Sequence, residues 1–178
     1  METLICEKIQ RIIKNKKRLE KELKIKITIN EKEVTINGSP EDEYIAGKVI
    51  EALEFGFPFS VALSIKEEDF MFEILNIKSH TRRKDLAEVR SRIIGKEGRT
   101  LATLSQLTKC NFEIKDNQVG IIGDPEFMRG AQDGMISLIR GAKQSNVYSF
   151  LEKHQVKPVI DLGLKEPKKK GRKSKKNL

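Results

Sequence analysis

The segment Arg92-Ile93-Ile94-Gly95-Lys96-Glu97-Gly98-Arg99-Thr100 joins two amphipathic stretches through a four-residue loop with glycine at each end. Glycine adopts positive φ without steric cost and leaves no Cβ to hold off a ligand. A helix starting directly after the loop, with the hydroxyl residue Thr100 near its first turn, offers unpaired N–H groups and a partial positive charge to an anion. Lys96, Arg92 and Arg99 add full charges beside it. The chain holds twelve glycines, so G-x-x-G spacing alone is weak and its meaning depends on what surrounds it.

Upstream, Asp85 to Ile94 reads as a helix with Leu86, Val89 and Ile93 on one face, preceded by an alternating strand from Phe70 through Phe72 and Ile74 to Ile77. Downstream, Thr100 to Thr108 is a second helix carrying Leu101, Leu104 and Leu107. Asn111 to Lys115 and Gln118 to Ile122 form a hairpin about Asp116-Asn117, and Gly123-Asp124-Pro125-Glu126 opens a long helix through Arg140. The N-terminal part repeats this pattern. Leu4-Ile5 reads as a short strand, Glu7 to Ile13 as a helix, and Lys17 to Lys24 as a second helix beyond an interruption at Lys14-Asn15-Lys16. Ile25, Ile27 and Ile29 then pair with Val34-Thr35-Ile36 in a hairpin. Gly38-Ser39-Pro40-Glu41 starts the next helix, with Ser39 as N-cap, Pro40 at the first position and Ile45, Val49, Ile50 and Leu53 as its buried stripe.

The order β-α-α-β-β-α is thus expected twice, with Gly-Ser-Pro-Glu at 38–41 and Gly-Asp-Pro-Glu at 123–126 at the same junction. The copies differ at the loop: Gly95-Lys96-Glu97-Gly98 in the second faces a glycine-free Lys14-Asn15-Lys16 in the first. The first copy is expected to keep the scaffold and lose the phosphate approach. Residues 1–56 form the first unit and 57–69, broken by Gly56 and Pro58, a linker with a short helix from Ser60 to Lys66. Residues 70–155 form the second unit and 156–178 a basic tail.

Helix, Ile-Ile-Gly-Lys-x-Gly, helix, strand, hairpin and capped third helix resemble a type I KH domain, whose G-x-x-G loop clamps about four single-stranded nucleotides. An intact unit preceded by one lacking its loop glycines is similar to the KH-domain ribosome-assembly and rRNA-processing factors of archaea and eukaryotes. The likeness is most specific over 90–153, through Ile-Ile-Gly-Lys-Glu-Gly-Arg-Thr, Ile-Ile-Gly-Asp-Pro-Glu and Val147-Tyr148-Ser149-Phe150-Leu151-Glu152. The resemblance implies an α+β fold of two type I KH-like units in tandem, each a three-stranded sheet covered by three helices. It also implies binding to the 3′ region of small-subunit ribosomal RNA, with a PIN-domain endonuclease and the alpha subunit of translation initiation factor two as partners. In the simplest archaeal members the first unit often has its own G-x-x-G, which this chain lacks.

The net charge of +9 is unevenly placed. From Lys165 to Leu178 eight Lys or Arg residues stand against the one acid Glu166, leaving +2 for the rest. This tail, without apolar periodicity, is expected to be disordered and to bind polyanions without selectivity. Cys6 and Cys110 are too few for a disulfide scaffold and read as buried thiols of a reducing compartment. With no long apolar run and no signal-peptide pattern, the chain is expected to be cytoplasmic and off the membrane. His80 and His154 are isolated, so no catalytic trio or metal site is expected, and no cofactor. Adjacent acids such as Glu41, Asp42 and Glu43 sit where they complement a helix dipole.

The expected site is a groove in the second unit. Ile93, Ile94 and Leu101 form its apolar floor, with Asn111 and Ile114 on the strand side. Arg90, Arg92, Lys96 and Arg99 form the phosphate rim, around Gly95, Glu97, Gly98 and Thr100 of the loop. Arg82-Arg83-Lys84 are expected to converge on the same loop. A KH-type regulator of messenger RNA or a single-stranded DNA binder fits the same residues, because such a groove accepts either nucleic acid. A metal-dependent nuclease is the enzyme alternative and would need several acids gathered in one core.

Overall fold

The computed structural model describes residues 1–155, so the tail expected over 156–178 lies outside the described residues. The first half runs β1 (Glu2–Ile5), α1 (Ile9–Leu23), β2 (Lys26–Asn30), β3 (Glu33–Asn37), α2 (Pro40–Phe55) and α3 (Phe59–Glu67). The second runs β4 (Met71–Asn76), α4 (Ile77–His80), α5 (Leu86–Ile94), a single 3-10 turn (Lys96–Gly98) and α6 (Arg99–Thr108). It ends with β5 (Asn111–Lys115), β6 (Gln118–Gly123), α7 (Pro125–Arg140) and α8 (Gln144–Lys153). Each half holds a three-stranded antiparallel sheet, ordered β1-β3-β2 and β4-β6-β5. No described helix is long and apolar enough to cross a membrane.

The two hairpin-to-helix junctions behave alike. Ser39 Oγ accepts from the Asp42 amide (3.2 Å) and Asp124 Oδ1 from the Glu126 amide (2.8 Å), each with proline at the head of the following helix. These caps satisfy otherwise orphaned N–H groups and set where α2 and α7 begin.

The helix–loop–helix expected in the first unit is absent. Lys14-Asn15-Lys16 lies inside the unbroken α1, and the order is β-α-β-β-α-α instead of β-α-α-β-β-α. Lysine is a good helix former and a mid-helix asparagine costs at most about 0.7 kcal/mol. Asn15 Nδ2 also donates to the Arg11 carbonyl one turn back (2.8 Å). Against that small penalty, Ile12, Leu19 and Leu23 bury one stripe of α1 almost completely, at about 1.5–3 kcal/mol for each side chain. The unit's third helix is α3, within the stretch expected as a linker. Its Ala62, Leu63 and Ile65 are buried in the first core, so 57–67 is part of that core.

The second sheet is covered on both faces. Val119 and Ile121 of β6, with Leu75, Phe112 and Ile114, face the core built with α5, α6 and α7. The alternate residues Phe72, Ile74 and Ile122 join the first core against α2 and α3. Phe55 and Phe57 meet Phe72 at ring separations of 6.0 and 5.8 Å. They lie so close to β6 that a Cβ on Gly120 would stand 2.8 Å from both rings. Glu54 and Lys115 approach to 3.9 Å at the margin.

Candidate nucleic-acid interface

Helix α5 starts at Asp85, whose Oδ1 accepts from the Glu88 amide (3.1 Å), and buries Val89 and Ile93 one turn apart. It ends at Gly95, with φ +77° and ψ 174°. A Cβ there would stand 2.1 Å from Thr100 Oγ1, so both backbone and packing require glycine. Glu97 (φ 55°, ψ 28°) and Gly98 (φ 74°, ψ 10°) continue in the left-handed region, and the Gly98 amide donates back to the Gly95 carbonyl (3.3 Å). Among the described residues nothing lies within 4 Å of where a Gly98 Cβ would be. No side chain among the described residues caps the N-terminus of α6. The loop therefore leaves the first amides of α6 free of a side-chain acceptor, with open space in front.

Lys96 and Arg99 flank that space, and Arg90 stands on α5 at a cleft beside it. Lys96 is exposed and makes no ion pair among the described residues. Arg99 Nη2 donates to Glu97 Oε2 (3.0 Å), with both side chains mostly exposed, a contact worth about 0–1 kcal/mol that a phosphate can displace. Arg90 bridges from α5 to Asn117 Oδ1 on the β5–β6 turn. Beside the loop, Arg90, Ile94, Ile114, Asp116 and Asn117 line an open cleft of about 410 Å³. Ile94, 37% exposed, and half-buried Ile114 give it an apolar wall suited to a base. Leu101 is half-buried on α6 and packs on the second core.

Four expected site residues sit elsewhere. Ile93 is fully buried in the second core, because it continues the Val89 stripe, and Ile94 alone of the pair faces out. Thr100 is buried, with its hydroxyl accepting from Gln144 Nε2 (2.9 Å), so it locks the start of α6 to α8. Arg92 Nη2 donates to the Gly141 carbonyl (2.7 Å) and to that of Ala142, capping the end of α7. Asn111 shares strand parity with Glu113 and Lys115, and pairs with Ile122 of the first core, so it stands on the sheet face opposite Ile114. Arg82 and Arg83 border a separate cleft behind α5 and do not reach the loop. Asp116 and Asn117, which from sequence are only a hairpin turn, also line the cleft beside the loop. Their signal was the shortness of the hairpin, which returns the chain beside the end of α5.

Elsewhere, burial pushes the Cys6 thiol up to about 12, with Glu54 adding to the rise, and the Cys110 thiol up to about 11. His154 Nδ1 donates to the Phe150 carbonyl (2.8 Å) and the imidazole lies over the Phe150 ring. Among the described residues no three His, Cys, Asp or Glu side chains gather as metal ligands.

Residues 71–156 match the family model described as a eukaryotic type KH domain, KH-domain type I. The chain is 30% identical over 149 residues to the KH domain-containing protein MJ0443 of Methanocaldococcus jannaschii, covering 80% of this chain and 66% of the relative. It is 29% identical over 108 residues to the pre-rRNA-processing protein pno1 of Emericella nidulans, covering 58% of this chain and 42% of that protein, so it spans well under the full length of these curated relatives. Among solved structures, a chain in the crystal structure of an a/eIF2alpha–aDim2p–rRNA complex from Pyrococcus horikoshii superposes with a TM-score of 0.77 at 30% identity, covering 85% of this chain and 92% of that one. The type I arrangement around Gly95–Gly98, the family match over it and this likeness along most of a Dim2 chain agree: the protein belongs to the Pno1/Dim2 family of KH-domain proteins.

Proposed function

We propose that this protein binds single-stranded RNA through its second unit and acts on the 3′ region of small-subunit ribosomal RNA during ribosome assembly and pre-rRNA processing. The observation that carries the reading is the loop itself: amides at the start of α6 without a side-chain cap, open space beyond Gly98, the exposed Lys96 and Arg99, and beside them a cleft where Arg90 stands with Ile94 and Ile114. Amides and cations hold the sugar-phosphate backbone while Ile94 and Ile114 receive bases. The relatives support the choice of RNA, since they include a pre-rRNA-processing protein and a Dim2 protein crystallised with rRNA and a/eIF2alpha. The initiation-factor alpha subunit is a partner under this proposal, and so is a PIN-domain endonuclease.

The first unit does not share the chemistry. The amides of Lys14 and Asn15 lie in mid-helix, where they bond within α1, so no phosphate can take them. Lys96→Asp is expected to lower affinity for preferred RNA at least about tenfold, the loss of one charge-assisted contact of about 1.5–3 kcal/mol. Lys14→Asp is expected to cost less than about 1 kcal/mol through screened charge alone. Titration of both variants at one salt concentration, with circular dichroism to confirm folding, is the check, and equal losses would sink the assignment. Crosslinking in cells that recovered scattered messenger or chromosomal sites without ribosomal RNA would favour a regulator instead.

A further inference from the structure

Behind α5, Ser79, His80, Thr81, Arg82, Arg83 and Arg140 line a second cleft, of about 630 Å³, that the groove does not use. Its walls come from the end of α4, the segment leading into α5 and the last turn of α7. Arg82 and Arg140 are exposed and make no ion pair among the described residues. Arg83 has only a 3.5 Å contact with Glu88, both side chains well exposed, which neutralises it weakly. Three guanidinium groups around one cavity repel one another, and an anion relieves that repulsion. Their planar forks match phosphate oxygens two at a time.

The cleft meets the loop-bearing helix α5 at Gly141. Arg83 Nη2 and Arg92 Nη1 come within 3.5 and 3.3 Å of the point where a Cβ on Gly141 would stand, next to Arg140. Arg92 lies one helical turn before Gly95 and, two residues from Arg90, on nearly the opposite side of α5. The loop at the end of α5 thus sits between the groove on the Arg90 side and the cleft on the Arg92 side. We propose that this cleft is a second phosphate subsite, occupied by nucleotides flanking those held in the groove, so that a bound strand bends around the loop end of α5. The proposal rests on the RNA-binding reading and extends the footprint beyond the four-nucleotide groove.

The test compares full-length R82Q/R140Q with the unchanged chain on a preferred RNA of about four nucleotides and on one of about twelve that extends it at both ends. The variant is expected to bind the short RNA within about twofold of normal and the long one about tenfold more weakly. Its log affinity against log salt slope on the long RNA should fall by about 1.4, two contacts at about 0.7 each. Both variant residues are exposed, and thermal unfolding verifies that the fold is kept. Unchanged affinity and slope on the long RNA would overturn the proposal, and so would equal losses on both lengths. Saturable binding of inorganic phosphate that R82Q/R140Q abolishes, with long-RNA affinity untouched, would assign the cleft to a small phosphate ligand and equally overturn it. Lys96→Asp run in parallel separates the two readings: if it leaves both RNAs bound normally the loop assignment fails, while the cleft is judged by its own pair of affinities.

Discussion

Gly95 and Gly98 occupy the same motif for different reasons, and alanine separates them. At Gly95 a methyl group meets Thr100 Oγ1 at 2.1 Å and the backbone (φ +77°, ψ 174°) lies in a region essentially confined to glycine, so Gly95→Ala must move the start of α6. A loss of roughly 3 kcal/mol in urea unfolding is expected, from about 1–3 kcal/mol of backbone strain plus overpacking. At Gly98 the space is empty, and Gly98→Ala should cost only the backbone term of about 1–2 kcal/mol while placing a methyl group where a phosphate must approach. RNA affinity should therefore fall out of proportion to stability at Gly98, and an equal stability loss at both positions would contradict this division. The corner glycines and the charges Lys96 and Arg99 were legible from sequence, because a G-x-x-G loop between two apolar helices admits few other geometries. Ile93 was misplaced although its signal was available: a residue on the Leu86–Val89 stripe is committed to the core. Arg92 was not readable, since its acceptors on Gly141 and Ala142 are remote in sequence.

At the scale of elements the decisive difference between the halves is one continuous helix in place of helix, loop and helix. Asn15→Pro tests it. In the unbroken α1 a proline removes a backbone hydrogen bond and clashes with the carbonyl one turn back, for about 3 kcal/mol or more. In a loop between two helices the same change would cost little. Denaturant unfolding gives the answer, and a near-neutral variant would restore the interrupted helix. None of Lys14, Asn15 and Lys16, where an interruption is expected from sequence, breaks a helix, and the buried stripe of Ile12, Leu19 and Leu23 carries straight through them. Where the repeat rested on local chemistry, as in the Ser39 and Asp124 caps, the expectation held in both copies.

Across the whole molecule the outer face of the second sheet is closed by the first unit, and Glu113 on β5 lies in that seam near Gly56, Arg11 and Lys8. Burial raises its carboxyl above the usual range, more than the two cations lower it. A raised carboxyl favours the fold at pH values below the ordinary carboxylate range and loses that contribution as pH rises through the folded value. Glu113→Gln is accordingly expected to stabilise the protein slightly at neutral pH, with the gain vanishing on acidification, when the native side chain is neutral in both states. Unfolding curves at pH 7 and at about pH 3, below the ordinary carboxylate range, measure it, and a destabilised variant at neutral pH would show that the Arg11 and Lys8 attractions dominate.

By itself the sequence determined what short-range chemistry controls: two capped hairpin-to-helix junctions, three antiparallel strands in each half, a glycine-cornered loop and the cations on it. These follow from neighbours within a few residues, where steric limits and hydrogen-bond needs leave few solutions. Tertiary structure alone decided that α3 belongs to the first core, that Asn111 faces the other unit, and that Arg92 caps α7. It also decided that Arg82, Arg83 and Arg140 meet behind α5. Each of these depends on which surfaces are buried together when distant segments pack, and burial across such separations leaves no periodic mark in the chain.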